Sequence, residues 1–241
     1  MSELRRILGE LWTERGRVGL VSLGVLWGTL SLGLLLAFGR SMTAATTATA
    51  EGFGVDLLRI AGAATTRPYE GLAAGRPIGL RPEDAIALRR LPGVHAATWE
   101  SSWGGGLPVQ VGDVRRNVAL AGVGDGFGAM RNHRARSGGR FLNPRDLAER
   151  RRVCFLGARV AQRLFGDLEP VGRTLEVDGT PFTVVGVAPA KIAISNYNGE
   201  DRDKLTMPAT TYADLTGRRW ISHAWISVAP GADHKVVLER A

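Results

Sequence analysis

Side chains that could carry out chemistry are few and widely separated in this sequence. Cysteine occurs once, as Cys154, so no disulfide can form within the chain and no pair of thiolates can bind zinc. Cys154 lies in a short apolar run, which predicts a buried and unreactive thiol. The four histidines are too far apart to have the spacing of metal ligands: His95, His133, His223 and His234. Nucleophilic catalysis and metal binding are therefore not expected.

Two pairs of acidic residues and one glycine-rich segment are the other candidates for chemistry. Glu83 and Asp84 stand at the predicted start of a helix, and Asp201 and Asp203 stand in a predicted loop. Both pairs are expected to be solvated caps rather than acid–base dyads. Residues 122–128 have neither a Walker loop nor the GxGxxG spacing, which predicts a plain turn. The sequence thus indicates a protein that is not an enzyme and holds no cofactor of its own.

One uncharged segment is long enough to cross a membrane. Residues 18–38 contain no charged side chain, and as a helix they would extend about 31 Å, the thickness of a bilayer core. A cleaved signal peptide has a shorter apolar segment, so an uncleaved anchor is expected. The flanking arginines are Arg5, Arg6, Arg15 and Arg17 before the span and Arg40 after it. This asymmetry predicts a cytoplasmic N-terminus and an extracytoplasmic segment 39–241.

The residues before and within the span predict two contact surfaces. Leu8 and Leu11 belong to the apolar stripe of an amphipathic helix predicted within residues 1–17, which would lie on the inner membrane surface. Gly24 and Gly28 have the GxxxG spacing at which membrane helices pack closely. Residues 39–50, rich in Ser, Thr and Ala, are expected to form an exposed juncture or a frayed helix end.

The basic excess is almost entirely arginine. The 241 residues carry 31 Lys and Arg against 23 Asp and Glu, a formal net charge of +8. The densest cluster of arginines comprises residues 131–140, Arg145 and residues 150–152. Such a cluster can bind nucleic acid, anionic lipid or an acidic protein, or form a solvated surface. A solvated surface is expected, and an outward-facing domain gives no reason to expect nucleic acid as a partner.

The pattern of residues 51–241 is typical of an α+β domain. Strands are expected at 52–60, 94–99, 153–156, 205–207 and 221–228, and hairpins at 107–123 and 175–187. Helices are expected to begin at 80–84 and at 233, and to occupy 157–165 and 208–215. In the helix at 157–165, four apolar residues share one side and are expected to face the core: Val160, Ala161, Leu164 and Phe165.

Several segments of this domain are similar to the motifs of a known family. Leu91-Pro92-Gly93-Val94 is similar to the turn after the family's first outer helix, and Gly138-Gly139-Arg140-Phe141 with Asp146 to its "l-x-G-R-x-F…D" stretch. The longest similarity comprises Arg152-Val-Cys-Phe-Leu-Gly157, Val160-Ala161, Leu164-Phe165-Gly166, Pro170-Val171-Gly172 and Gly179-x-x-Phe182-x-Val-Val-Gly186-Val187. Met207-Pro208 resembles the following strand-to-helix step. These segments resemble the MacB/FtsX-like permease subunits of ABC transporters. The resemblance covers essentially the whole chain, as a first transmembrane helix plus the MacB-like periplasmic core domain.

The resemblance implies an outer domain of two mixed α/β lobes in a permease that functions as a dimer. It also implies a cytoplasmic ABC ATPase subunit, which would hold the ATP. A second permease copy, membrane lipid and an extracytoplasmic protein are the further partners. In this setting Leu8 and Leu11 would dock on the inner surface or the ATPase, and Gly24 and Gly28 would pack against other membrane helices. Relatives continue with three more membrane helices, so the chain is interpreted as a permease-subunit fragment of the inner membrane.

Three functions are compared. The permease fragment would couple cytoplasmic ATP hydrolysis to movements of the outer domain, for export or envelope signalling. A free-standing, signal-anchored outer module would instead recruit a protein partner without any ATPase. An extracytoplasmic enzyme is the third class, and no constellation of residues favours it. A neighbouring ATPase reading frame, or hydrophobic segments downstream of Ala241, would favour the permease.

Overall fold

The apolar segment forms part of one long helix in the computed structural model, which describes residues 15–53, 57–189 and 201–241. Helix α1 (Arg15–Phe53) has 39 residues, and its stretch Gly19–Ser41 is long and apolar enough to cross a membrane. The residues expected to form a juncture, 39–50, are helical as well. Because α1 continues to Phe53, the strand predicted at 52–60 begins later than expected and occupies Leu57–Ala61.

The outer domain consists of eight strands and several short helices among the described residues. The strands are β1 (Leu57–Ala61), β2 (Val94–Val111), β3 (Val114–Val123), β4 (Val153–Leu156), β5 (Thr174–Val177), β6 (Thr180–Val187), β7 (Lys204–Pro208) and β8 (His223–Val228). The helices are α2 (Pro82–Leu88), α3 (Phe127–Met130), α4 (Pro144–Ala148), α5 (Ala158–Phe165), α6 (Ala209–Thr216) and α7 (His234–Arg240), with a 3-10 turn at Asp201–Asp203. The predicted α+β class is confirmed.

All eight strands belong to one sheet with the order β1-β8-β2-β3-β7-β4-β6-β5. The pairs β3–β7 and β4–β6 are parallel, and the other pairs are antiparallel. Val109 and Gln110 of β2 also pair with Val177 and Glu176 of β5, so six strands close into a ring. The strands predicted at 94–99 and 107–111 are one strand, because β2 continues through a bulge.

The two halves of this sheet have separate apolar cores, in agreement with two lobes. The ring of β2, β3, β7, β4, β6 and β5 surrounds a core whose largest buried side chains include Leu120, Leu156, Leu205, Phe182 and Tyr212. The half formed by β1, β8 and the first part of β2 packs against α2 and α7 through two smaller apolar clusters. One contains Ala85, Trp99, Ile221 and Ala224, and the other contains Ala97, Ile226, Val228 and Val237. Strand β2 runs through both halves and joins them.

Local sequence signals position the ring. All four residues predicted to face the core from α5 are buried, and Gly166 ends that helix with a φ of +59°. Asp178 and Gly179 have φ values of +48° and +76°, as a tight hairpin between β5 and β6 requires. A Cβ at Gly157 would collide with the backbone carbonyl groups of Asp201 and Arg202. The glycine therefore lets the 3-10 turn lie directly against the start of α5.

Candidate functional site

Five charged or titratable side chains, most of them buried, meet on one face of the sheet and are termed the ionic cluster. Its members are Glu100 of β2, Lys204 of β7, Asp201 of the 3-10 turn, and Arg131 and His133 after α3. Glu100, Lys204 and Arg131 are only 4%, 5% and 9% exposed. Burying an unpaired charge costs free energy of folding, so the oppositely charged partners of each side chain determine whether the cluster stabilises the fold.

Lys204 and Asp201 are the centre of the ionic cluster. Lys204 Nζ lies 3.4 Å from Glu100 Oε1 and 3.6 Å from Asp201 Oδ1. Asp201 Oδ2 lies 3.5 Å from Arg131 Nη2 and 3.6 Å from His133 Nε2. The guanidinium of Arg131 also lies over the Trp225 ring, 4.6 Å from its centroid. These contacts tie β2, β7, β8, the 3-10 turn and the segment after α3 together.

The imidazole of His133 is enclosed by aromatic rings. It stacks on Phe127 and Phe141, with centroid distances of 5.5 and 5.3 Å, and Phe155 presents its edge at 6.3 Å. Burial lowers the pKa of His133, Asp201 raises it, and Arg131 lowers it again, with a net decrease. His133 is therefore neutral at pH 7, and Asp201 meets one guanidinium, one ammonium and one neutral ring.

The ionic cluster has the chemistry of a structural connection. It contains no hydroxyl or thiol nucleophile, and no group of three potential metal ligands occurs among the described residues. Cys154 is fully buried in β4, and burial raises the pKa of its thiol well above the usual range. The prediction that the Cys154 thiol is buried is thus confirmed. What the cluster can do is fix the relative positions of the elements that carry it.

Sequence reasoning missed most of the ionic cluster. Asp201 and Asp203 were expected to be solvated caps, but Asp201 joins the cluster and Asp203 lies 2.7 Å from Arg159 and 3.6 Å from Arg163. That expectation is wrong for this pair because the turn packs against β7 and α5. Asp84 does act as a cap, since its carboxylate accepts a hydrogen bond of 2.7 Å from the Arg81 backbone N–H.

A second buried carboxylate explains the stretch from Gly138 to Asp146. Asp146 is fully buried and accepts hydrogen bonds of 2.6 and 3.0 Å from Arg140 and of 3.0 Å from the Asn143 backbone N–H. Asn143 Oδ1 in turn accepts from the Asp146 N–H, which completes the capping box of α4. Burial raises the pKa of Asp146, but these hydrogen bonds lower it by more, so the net pKa is below the usual value. The carboxyl is therefore ionised at pH 7.

The arginine cluster of residues 131–152 is largely neutralised by acidic side chains. Ion pairs join Arg131 to Asp201, Arg136 to Glu169, Arg140 to Asp146, Arg145 to Glu149, Arg150 to Asp214 and Arg151 to Glu149. The exposed pairs among them contribute little stability individually. Apart from Arg131, which is buried, the cluster is consequently a mostly paired and solvated surface rather than a continuous basic patch. The glycine-rich residues 122–128 form the end of β3, a turn and the start of α3.

The apolar side chains of the span are exposed within this chain. Leu20, Trp27 and Phe38 are 72%, 70% and 69% exposed, which fits contact with lipid or other helices. A Cβ at Gly24 or Gly28 would meet no atom of the described residues within 4 Å, so their packing role stays a prediction. Leu8 and Leu11, predicted for inner-surface or ATPase docking, lie outside the described residues.

Comparison with known proteins identifies relatives among exporters. The chain is 29% identical over 213 residues to the macrolide export ATP-binding/permease protein MacB of Chlorobaculum tepidum, covering 88% of this chain and 32% of that protein. It is 30% identical over 210 residues to MacB of Rhodospirillum rubrum, covering 86% and 31%. It is 26% identical over 199 residues to the pyoverdine export ATP-binding/permease protein PvdT of Pseudomonas aeruginosa, covering 82% and 28%. The chain thus spans about a third of the length of these relatives.

Solved structures share the fold. The periplasmic region of MacB from Actinobacillus actinomycetemcomitans matches with a TM-score of 0.63 and 19% identity, over 79% of this chain and 83% of that chain. The extracellular domain of YknZ from Gram-positive bacteria matches with a TM-score of 0.57 and 18% identity, over 66% and 78%. A family model described as the MacB-like periplasmic core domain matches residues 18–241. The chain therefore belongs to the family of the MacB-like periplasmic core domain.

Proposed function

We propose that this chain supplies the first membrane helix and the outer domain of an ABC permease, in which cytoplasmic ATP hydrolysis moves the outer domain. The observation that carries the proposal is the continuity of α1. This helix extends twelve residues beyond the apolar span Gly19–Ser41 without a break, about 18 Å at the helical rise. A continuous helix transmits displacement along its own length, whereas a flexible segment directly after the span would absorb it.

In this permease the chain would have an ATPase partner and a defined orientation in the membrane. ATP would bind to an ATPase subunit or domain, because the chain has no G-x-x-x-x-G-K-[ST] sequence. The arginines before the span support a cytoplasmic N-terminus, with residues 39–241 outside the inner membrane. A second permease copy and membrane lipid would surround α1, with Gly24 and Gly28 at a helix contact. The names of the relatives, which combine ATP binding with export, support this assignment.

Movement of the outer domain is tested with spin labels in the complete permease, assembled with its ATPase in lipid nanodiscs. Leu168→Cys places one label per copy on a side chain that is 56% exposed, and Cys154 is too buried to be labelled. We expect the distance distribution between the two copies to shift when ATP and vanadate are added. Pulsed electron–electron double resonance spectroscopy measures this distribution of distances between the spin labels.

An ATPase variant that binds but does not hydrolyse nucleotide is the control for vanadate trapping. An unchanged distribution in the intact complex would contradict coupling, whereas failure of the chain to assemble with an ATPase would favour the free-standing binding module. Absence of dipolar coupling between labels would contradict the dimer.

The docking role of Leu8 and Leu11 has its own test. Both leucines are changed to Glu, which places charge on the apolar stripe of the amphipathic helix. We expect the membrane-inserted chain to lose most of its co-purification with the ATPase, because the docking face is no longer apolar. The matched control changes Ser2 and Thr13, on the polar side of the same predicted helix, to Glu, which adds the same charge and keeps the arginines that precede the span. Unaltered membrane localisation and ATPase recovery in the leucine variant would contradict the role.

A further inference from the structure

An open groove of about 1100 Å³ lies between the start of α2 and the end of α6. Its floor includes Trp99, which is 9% exposed, and one wall carries Trp220, which is 53% exposed. All residues that line the groove belong to the outer domain. The groove therefore combines a deep apolar floor with an indole that solvent can reach.

Trp220 is held in a fixed position despite its exposure. Its ring packs on the backbone of Gly79, where a Cβ would collide with it, and the Arg81 guanidinium lies 5.0 Å from the ring centroid. The Trp220 carbonyl accepts a hydrogen bond of 3.3 Å from Ser101, and the next residue, Ile221, bonds to Leu80. A ligand would pay little entropy to order this indole, because the fold has already ordered it.

The rim of the groove is basic. Four arginines line it, Arg81, Arg150, Arg218 and Arg219, against the two carboxylates of Glu83 and Asp214. Asp214 is paired with Arg150, and the lining as a whole carries two more guanidinium groups than carboxylates. Guanidinium groups bind carboxylates through paired hydrogen bonds, and an indole face accepts apolar or aromatic groups.

We propose that this groove binds an acidic peptide segment of an extracytoplasmic partner protein, with an aromatic or apolar side chain against Trp220 and carboxylates on the rim arginines. Three observations favour a peptide. The volume of about 1100 Å³ is at the upper end of the range of about 300–1,000 Å³ usual for small-molecule pockets, and the groove is open rather than enclosed. The rim is exposed along the groove, as an extended segment requires. Trp99 lines the groove but is only 9% exposed, so a planar lipid surface would contact the rim and not this indole.

The proposal is tested by fluorescence polarisation with the full chain in neutral detergent and no nucleotide, so that its failure is independent of ATP coupling. The probe is a short fluorescein-labelled peptide of glutamate and phenylalanine. The comparison peptide has glutamine at every glutamate position. We expect binding of the acidic peptide, and a Kd raised about tenfold or more by Arg218→Glu with Arg219→Glu. Trp220→Ala is expected to raise the Kd as well.

The matched control is Arg115→Glu with Arg116→Glu, which makes the same change in net charge on exposed residues of β3. We expect this control to leave the Kd within about twofold of the original value, as an exposed change remote from the site should. An equal loss of affinity in both double variants would show that the peptide binds by general charge attraction, which would overturn the proposal. Absence of binding, or displacement of the peptide by vesicles containing phosphatidylglycerol, would also overturn it.

Discussion

Lys204→Met is expected to lower the free energy of unfolding by about 3–5 kcal/mol, the usual cost of breaking a buried ion pair. Lys204 and Glu100 are both almost fully buried, with Nζ 3.4 Å from the carboxylate. Methionine retains much of the side chain's length but removes its charge. The Glu100 carboxylate then stays in a low-dielectric site without its ammonium partner, and Asp201 loses a cation as well. Guanidinium chloride unfolding of the full chain in detergent, followed by tryptophan fluorescence, measures the change.

The double variant Glu100→Gln with Lys204→Met separates charge from packing. It removes both buried charges, so we expect its free energy of unfolding to return to within about 1–2 kcal/mol of the original protein. Lys235→Met is the matched control, because Lys235 is exposed on α7 and its loss should cost less than about 0.5 kcal/mol. Equal losses in the Lys204 and Lys235 variants would contradict a stabilising role for the buried pair.

The parts of the fold that the sequence predicts correctly depend on neighbouring residues. The hairpin at Asp178-Gly179 follows from residues that tolerate positive φ between two apolar runs. The buried side of α5 follows from helical spacing, and its end from Gly166. Such signals act within one turn of helix or across one hairpin. They therefore do not depend on the rest of the chain.

The features that the sequence does not predict depend on distant partners. Glu100 and Lys204 are 104 residues apart, and neither carries a local signal of its burial or of its partner. The continuity of β2 is also non-local, because each part of this strand is held by a different neighbour, β8 at its start and β5 at its end. The groove at Trp99 and Trp220 likewise forms only after β2, α2 and α6 have been assembled.

Removal of the Arg140 side chain is the other change with a large expected effect. Arg140→Ala should lower the free energy of unfolding by about 3 kcal/mol, because the fully buried Asp146 loses two charge-assisted hydrogen bonds. Arg151, 3.8 Å away, and the Asn143 N–H compensate only in part. Arg136→Ala is the matched control, since its ion pair with Glu169 is exposed on both sides and should contribute less than about 1 kcal/mol.

The dependence on pH tests whether the loss in Arg140→Ala is electrostatic. The folded pKa of Asp146 lies below its unfolded value of about 3.9, so the stabilisation by its ionised form is complete above that pH. It decreases as the pH falls from about 3.9 toward the lower folded pKa, because the carboxyl of the unfolded chain then takes up a proton while the folded carboxylate is still ionised. The difference between the original protein and Arg140→Ala should therefore be constant near neutral pH and become smaller below about pH 4. A difference that persists unchanged into acid would instead assign the loss to packing of the arginine's aliphatic stem.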